Sequence, residues 1–181
     1  MEIDKLKSRI SACKHCEENL ACGANPIFSF SANSKIVLVS QAPGIHAHNK
    51  SIPYQDQSGV RLRSWLGVSD EVFYNPDNFA ILPMGFCYPG KGKSGDLPPR
   101  KECAELWHES VWEQLQSVQL ILLIGQYAQK AYLKQQRKRN LTETVKAYEA
   151  YLPKFFPLVH PSPRNQIWLK KNDWFEETVI P

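Results

Sequence analysis

Two short segments carry groups whose types and spacing suit the stabilisation of negative charge. Ser40-Gln41-Ala42-Pro43-Gly44 follows an apolar run and turns sharply at Pro-Gly, so the N–H groups of Gln41 to Gly44 can face an anionic or carbonyl oxygen. His160, held between prolines in the stretch HPSPRN at 160–165, can donate a hydrogen bond to that same oxygen. Preorganised donors aimed at developing charge lower a reaction barrier. Each feature also has a plainer reading, because Pro-Gly turns are common punctuation and a strand-end histidine can be purely structural. A second constellation is made of thiols. Cys13 and Cys16 form a CxxC, and Cys87 and Cys103 are separated by fifteen residues of a loop rich in Gly, Pro and Lys.

The elements that must position these groups alternate. Lys35 to Val39 (KIVLV), Asn78 to Met84 (NFAILPM), Gln119 to Gly125 (QLILLIG) and Lys154 to Val159 (KFFPLV) are short, nearly all-apolar runs, the pattern of strands covered on both faces. Helical patterns cover residues 2 to 12, 59 to 66, 101 to 115, 126 to 134, 142 to 150 and 173 to 179. Alternation of this kind predicts a single-domain α/β protein, a three-layer α/β/α sandwich around a central, mainly parallel four-stranded sheet. In such sheets ligands bind beyond the carboxyl ends of the strands, so loops 40–58, 84–100 and 160–169 are expected to converge on one cleft.

The length of 181 residues fits one domain, and 43% hydrophobic residues with five Trp, seven Tyr and eight Phe exclude a disordered chain. A formal charge of +4 with a pI near 8.8 permits a polyanionic partner without identifying one. No apolar run is long enough for a membrane span, and the N-terminus lacks the apolar core of a secretory signal. A cytoplasmic protein with reduced or metal-bound cysteines is expected, because five cysteines make a poor disulfide framework. The one charge run, residues 134 to 140 (KQQRKRN), reads as a solvated helix end, with a direct phosphate contact as the alternative.

The segments SQAPG and HPSPRN, in that order and at strand ends, resemble the two signature motifs of the uracil-DNA glycosylase superfamily. The first is similar to the GEAPG-type motif of the bacterial and archaeal family 4 enzymes, the second to that of the single-strand-selective monofunctional enzymes. The resemblance spans about residues 13 to 175 and implies hydrolysis of the bond between a damaged base, uracil by default, and its deoxyribose in DNA. His160, Gln41 and Ala42 then occupy catalytic positions, with Gly44 in the substrate-binding turn. Tyr54 takes the place of the aromatic residue that stacks on a base rotated out of the helix. Ser58 and Gly59 open a helix, where they either bind a phosphate or simply cap it. Ser162, Arg164 and Asn165, with Ile167, Trp168 and Leu169 behind them, are similar to the superfamily's DNA-intercalating loop, an apolar wedge for the gap left by the base.

Departures from the pattern are specific. Where many members carry a carboxylate or amide that positions water, this chain has Ala42, a feature shared with family 4. Asp56 is the only carboxylate between the first motif and Ser58, so it is the candidate for activating water, or else a turn cap. Pro83 to Phe86 replaces the stretch where family 4 carries a base-reading Asn, which leaves Phe86 and backbone groups as the contacts there. The set Cys13, Cys16, Cys87 and Cys103 resembles the family 4 ligands of a structural [4Fe–4S] cluster. Zinc, with Cys22 or His15 as substitute ligands, or no metal at all, are the alternatives. Lys91, Lys93, Arg100 and Lys101 in the same loop would face the DNA backbone. No lysine is placed as a Schiff-base nucleophile, so a monofunctional, monomeric enzyme is expected; the alternative is a non-catalytic damaged-DNA binding protein on the same fold.

Overall fold

Four short runs of aliphatic and aromatic residues form the centre of the molecule, because a parallel sheet between helices buries such runs on both faces. The computed structural model describes residues 2–180. In chain order its elements are α1 (Glu2–Ser11), β1 (Ile36–Val39), α2 (Ile45–Lys50), α3 (Gln57–Leu66), α4 (Asp70–Tyr74) and β2 (Phe79–Ile81). They continue with β3 (Lys91–Gly92), β4 (Gly95–Asp96), α5 (Glu102–Gln114), β5 (Leu120–Ile124), α6 (Gln126–Leu133), α7 (Leu141–Lys146), β6 (Phe155–Leu158) and α8 (Gln166–Lys171).

The sheet has the order β2-β1-β5-β6 and every pairing in it is parallel, so "mainly parallel" becomes wholly parallel. Side chains alternate between its faces. Val37, Val39, Ile121 and Leu123 pack with α1, α5 and α6, while Leu38, Leu122, Ile124 and Leu158 pack with α3, α4, α7 and α8. Pro157 is tolerated in β6 because β6 is an edge strand, where a missing N–H breaks no second ladder. The opposite edge is covered by the segment around Ser29, which bridges Ile81.

Several boundaries depart from the sequence expectation for local reasons. The second strand stops at Ile81, ahead of Pro83. The pattern at 142 to 150 divides into α7 and a 3-10 turn, Tyr148–Tyr151, and that at 173 to 179 becomes a π-turn, Phe175–Val179. Four elements were not expected: α2, α4, α8 and the β3–β4 hairpin.

The chain leaves β1 for β2 on one side and later builds β5 and β6 on the other, so the order reverses between β1 and β5. A crevice opens at such a switch point beyond the carboxyl ends of the strands. α6 runs back from that end, which carries the basic residues 134 to 140 to the opposite pole. Among the described residues no helix is long and apolar enough to cross a membrane.

Candidate active site

The expected convergence of loops occurs. A cleft of about 580 Å³ lies at the switch point and is lined by Ser40 to Gly44, Tyr54, Asp56, Ser58, His160, Ser162, Arg164 and Asn165. Its first wall is set by continued pairing past the end of β1. Met84 N–H donates to the Ser40 carbonyl at 2.8 Å and Gly85 N–H to the Gln41 carbonyl at 3.0 Å. That pins the carbonyls of the turn away from the cleft. Among the described residues nothing accepts from the N–H groups of Gln41, Ala42 or Gly44.

The facing wall carries His160. Ser162 N–H donates to its Nδ1 at 3.2 Å, so Nδ1 is the acceptor of the ring. Burial holds the imidazole below its usual pKa, and the charges of Asp56 and Asp96 oppose that shift only in part. A neutral ring whose Nδ1 accepts must carry its proton on Nε2, which makes Nε2–H a donor. The loop is held from both sides. Asn165 Nδ2 donates to the His160 carbonyl at 2.7 Å, and Arg61 of α3 donates to the carbonyls of Pro161 (3.4 Å) and Ser162 (3.3 Å) and to Gln166 Oε1 (2.7 Å).

Tyr54 lines the cleft in a left-handed backbone conformation (φ 55°), with its ring edge-on to Phe73. Arg63 donates to the Tyr54 carbonyl at 3.3 Å, and Tyr74 O–H donates to the Pro53 carbonyl at 3.0 Å, which together over-determine the strained turn. The Tyr54 hydroxyl is buried beside Ser40 without a well-formed partner, and burial pushes its pKa up. It is a neutral phenol.

The structure revises several expected roles. Asp56 lines the cleft and is at the same time the N-cap of α3: Oδ1 accepts from Gly59 N–H at 2.9 Å, while Oδ2 stays on the side of Gly44. Gly59 therefore has no N–H to offer a phosphate. It is glycine because a Cβ there would collide with the Tyr54 carbonyl. Phe86 does not reach the cleft: it is 1% exposed, packed against Phe28 and His108. Trp168 and Leu169 face the core, Leu169 at 5% exposure and Trp168 bonded to Thr142, so the apolar wedge reduces to Ile167, 70% exposed. Ser162 and Asn165 hold the loop together, which leaves Arg164 as the cation of that segment free of any carboxylate partner among the described residues.

Other contributors have no clear sequence signal. Gln126 and Tyr127, after β5, line the cleft, and Gly125 takes φ 82° where an added Cβ would touch the His160 side chain. Ser94, Gly95 and Asp96 bring the β3–β4 hairpin over the mouth. Beneath it, His108 donates from Nε2 to the Pro83 carbonyl (3.0 Å) and accepts at Nδ1 from Tyr132 O–H (2.8 Å), which in turn accepts from Trp112 Nε1–H (2.9 Å). This chain fixes the end of β2.

The four predicted cysteine ligands are brought together. The thiols of Cys87 and Cys103 both feel Cys13 and Cys16, all are free, and Cys16, Cys87 and Cys103 are buried. Burial first, and neighbouring thiols second, push Cys87 up to about 11 and Cys103 up to about 12. Among the described residues no three Cys, His, Asp or Glu form a group tight enough for a single ion. The buried Nε–H of Arg100, beside Cys16, has no acceptor in place, and a ligated thiolate would supply one.

A family model described as the uracil DNA glycosylase superfamily matches residues 28–181.

Proposed function

Because the chain belongs to the uracil-DNA glycosylase superfamily, whose members are DNA glycosylases, we propose that it is a monofunctional enzyme that hydrolyses the N-glycosidic bond of uracil in DNA and leaves an abasic site. The observation that carries this reading is the pair of donor sets lining one cleft: the unpaired amides of Gln41, Ala42 and Gly44 and the Nε2–H of a neutral His160.

Breaking the bond leaves negative charge on the departing base, chiefly at O2 of uracil. Donors already in place lower the barrier because they need no reorganisation as the charge appears. A neutral imidazole serves as such a donor without a change in net charge. Tyr54 offers a rigid face for the base, which must leave the helical stack before its glycosidic bond is accessible. Ile167, exposed at the start of α8 beside that loop, is suited to fill the vacated space. Arg164, with Lys91 and Lys93 on the hairpin, supplies charge for the phosphates.

Cys13, Cys16, Cys87 and Cys103 would hold a [4Fe–4S] cluster. The cluster contributes structure, since hydrolysis transfers no electrons; it ties the segment after α1 to the loop that carries the hairpin.

The test is direct. Purified protein is incubated with oligonucleotides bearing one uracil, hypoxanthine or xanthine, and abasic sites are revealed with alkali. Cleavage at uracil supports the reading, and preferential cleavage at another base changes the substrate. Tight binding with no abasic site at any of the three overturns it in favour of a non-catalytic DNA-binding role.

A further inference from the structure

The proposed reaction needs a group that accepts the proton of the attacking water, and the turn after β1 offers only the methyl of Ala42 at the position where a water-holding side chain would stand. Two carboxylates approach the same point of the cleft. A Cβ built on Gly44 would lie 3.8 Å from Asp96 Oδ2 and 3.9 Å from Asp56 Oδ2. They are differently placed. Asp56 is half-buried and held at the N-cap of α3 by its bond from Gly59. Asp96 is exposed at the mouth, on β4, with Oδ1 accepting from Tyr88 O–H at 3.4 Å and Oδ2 turned toward Gly44.

The substrate decides between them. A base can enter the cleft to meet His160 and Tyr54, but its sugar stays joined to the phosphate backbone and so remains at the mouth. The bond to be hydrolysed therefore lies between the interior donors and the rim, and water reaches it from the rim. We propose that Asp96 is the catalytic base of this glycosylase, an inference that rests on the function proposed above. The C1′–N bond breaks with its electron pair leaving on the base, and the water oxygen bonds to C1′. Asp96 accepts that water's proton and returns it to solvent, while the departed base takes a proton from solvent.

The surroundings support the assignment. The charges of Asp56 and, second, Asp96 are both felt at His160, which places the two carboxylates within reach of the same site. Arg164 rests its guanidinium on Gly95, in space that any side chain there would fill, and so braces the hairpin at the residue next to Asp96. A carboxylate poised on a water typically contributes about 10²–10⁴-fold to rate.

The experiment compares wild type, Asp96→Asn, Asp96→Ala and Asp56→Asn in single-turnover cleavage of a uracil oligonucleotide, with affinity measured by anisotropy on the same strand. Asp96→Asn is expected to slow cleavage by about 10²-fold or more with affinity changed less than about threefold. Sodium formate should restore part of the rate to Asp96→Ala, a gain that a structural role would not produce. Asp56→Asn, which keeps a cap acceptor, should lose less than about tenfold. A folded Asp96→Asn protein that cleaves at the wild-type rate, or a formate-insensitive Asp96→Ala with Asp56→Asn as the dead variant, overturns the assignment and leaves the glycosylase reading standing. A wild type inactive on every lesion removes both.

Discussion

Ser162 N–H points at Nδ1 of His160 from two residues away, at 3.2 Å, and this single bond decides which ring nitrogen faces the cleft as a donor. The loop is thus a device for presenting Nε2–H. Removing the ring should cost about 10²–10³-fold in single-turnover cleavage, the usual loss for one donor to a developing anion. His160→Ala measured against wild type on the same oligonucleotide checks this.

The clamp on that loop comes from α3. Arg61→Ala deletes the bonds to Pro161, Ser162 and Gln166. The expected result is a slower chemical step, by roughly tenfold, since small misplacements of a catalytic group are costly. Because Arg61 touches the protein rather than the base, its loss should be far smaller in a protein that already carries His160→Ala.

Gly59→Ala reverses a familiar rule. Alanine in a helix is ordinarily worth up to about 1 kcal/mol over glycine, but here its methyl meets the Tyr54 carbonyl. Overpacking of this kind costs about 1–3 kcal/mol, and the displaced Tyr54 should weaken base binding as well. Denaturant unfolding of the variant, with its affinity for a uracil oligonucleotide, tests both.

His108 and His160 both have pKa values held down by burial. As pH falls through the ordinary imidazole value of about 6.5, the unfolded chain takes up protons that the folded chain refuses. The stability tied to these neutral rings is therefore complete above that pH and is lost as pH falls toward their folded values. For His108, only 6% exposed, the slope is at most about 1.4 kcal/mol per pH unit. Unfolding midpoints at pH 8, 7, 6 and 5 should fall on the acid side, and a flat profile to pH 5 contradicts the neutral-ring argument.

Much of the frame was readable from the chain itself. Ile36 to Val39 and Leu120 to Ile124 declare themselves because a strand buried on both faces has no polar side to dilute its signal. The convergence of SQAPG with HPSPRN follows from the rule for strand ends, and the CxxC and its distant partners are likewise visible as spacing. The rest depends on tertiary contact. α2 buries only Ala47, so its sequence shows no helical stripe. The hairpin that delivers Asp96 has Gly and Lys in place of a strand pattern, and its position depends on Arg164 lying against Gly95. Leu169 looked like part of an exposed wedge until α8 turned it inward, and Phe86 looked like a base contact until Phe28 and His108 enclosed it.

If a cluster ties Cys13 and Cys16 to Cys87 and Cys103, the purified protein should absorb in the visible range and contain iron. Cys87→Ser should abolish both and lower the melting temperature, while Cys22→Ser, at an exposed site, should change neither. A colourless, metal-free wild type of unchanged stability contradicts the cluster.

The central claim is that His160 stabilises charge on the leaving base, and leaving-group dependence tests it most directly. Single-turnover rates of wild type and His160→Ala are measured on matched strands bearing uracil or 5-fluorouracil, whose anion is intrinsically more stable. A smaller penalty for the substitution on 5-fluorouracil is the predicted result, because a better leaving group needs less help. An equal penalty on both bases would contradict it and confine His160 to holding the loop.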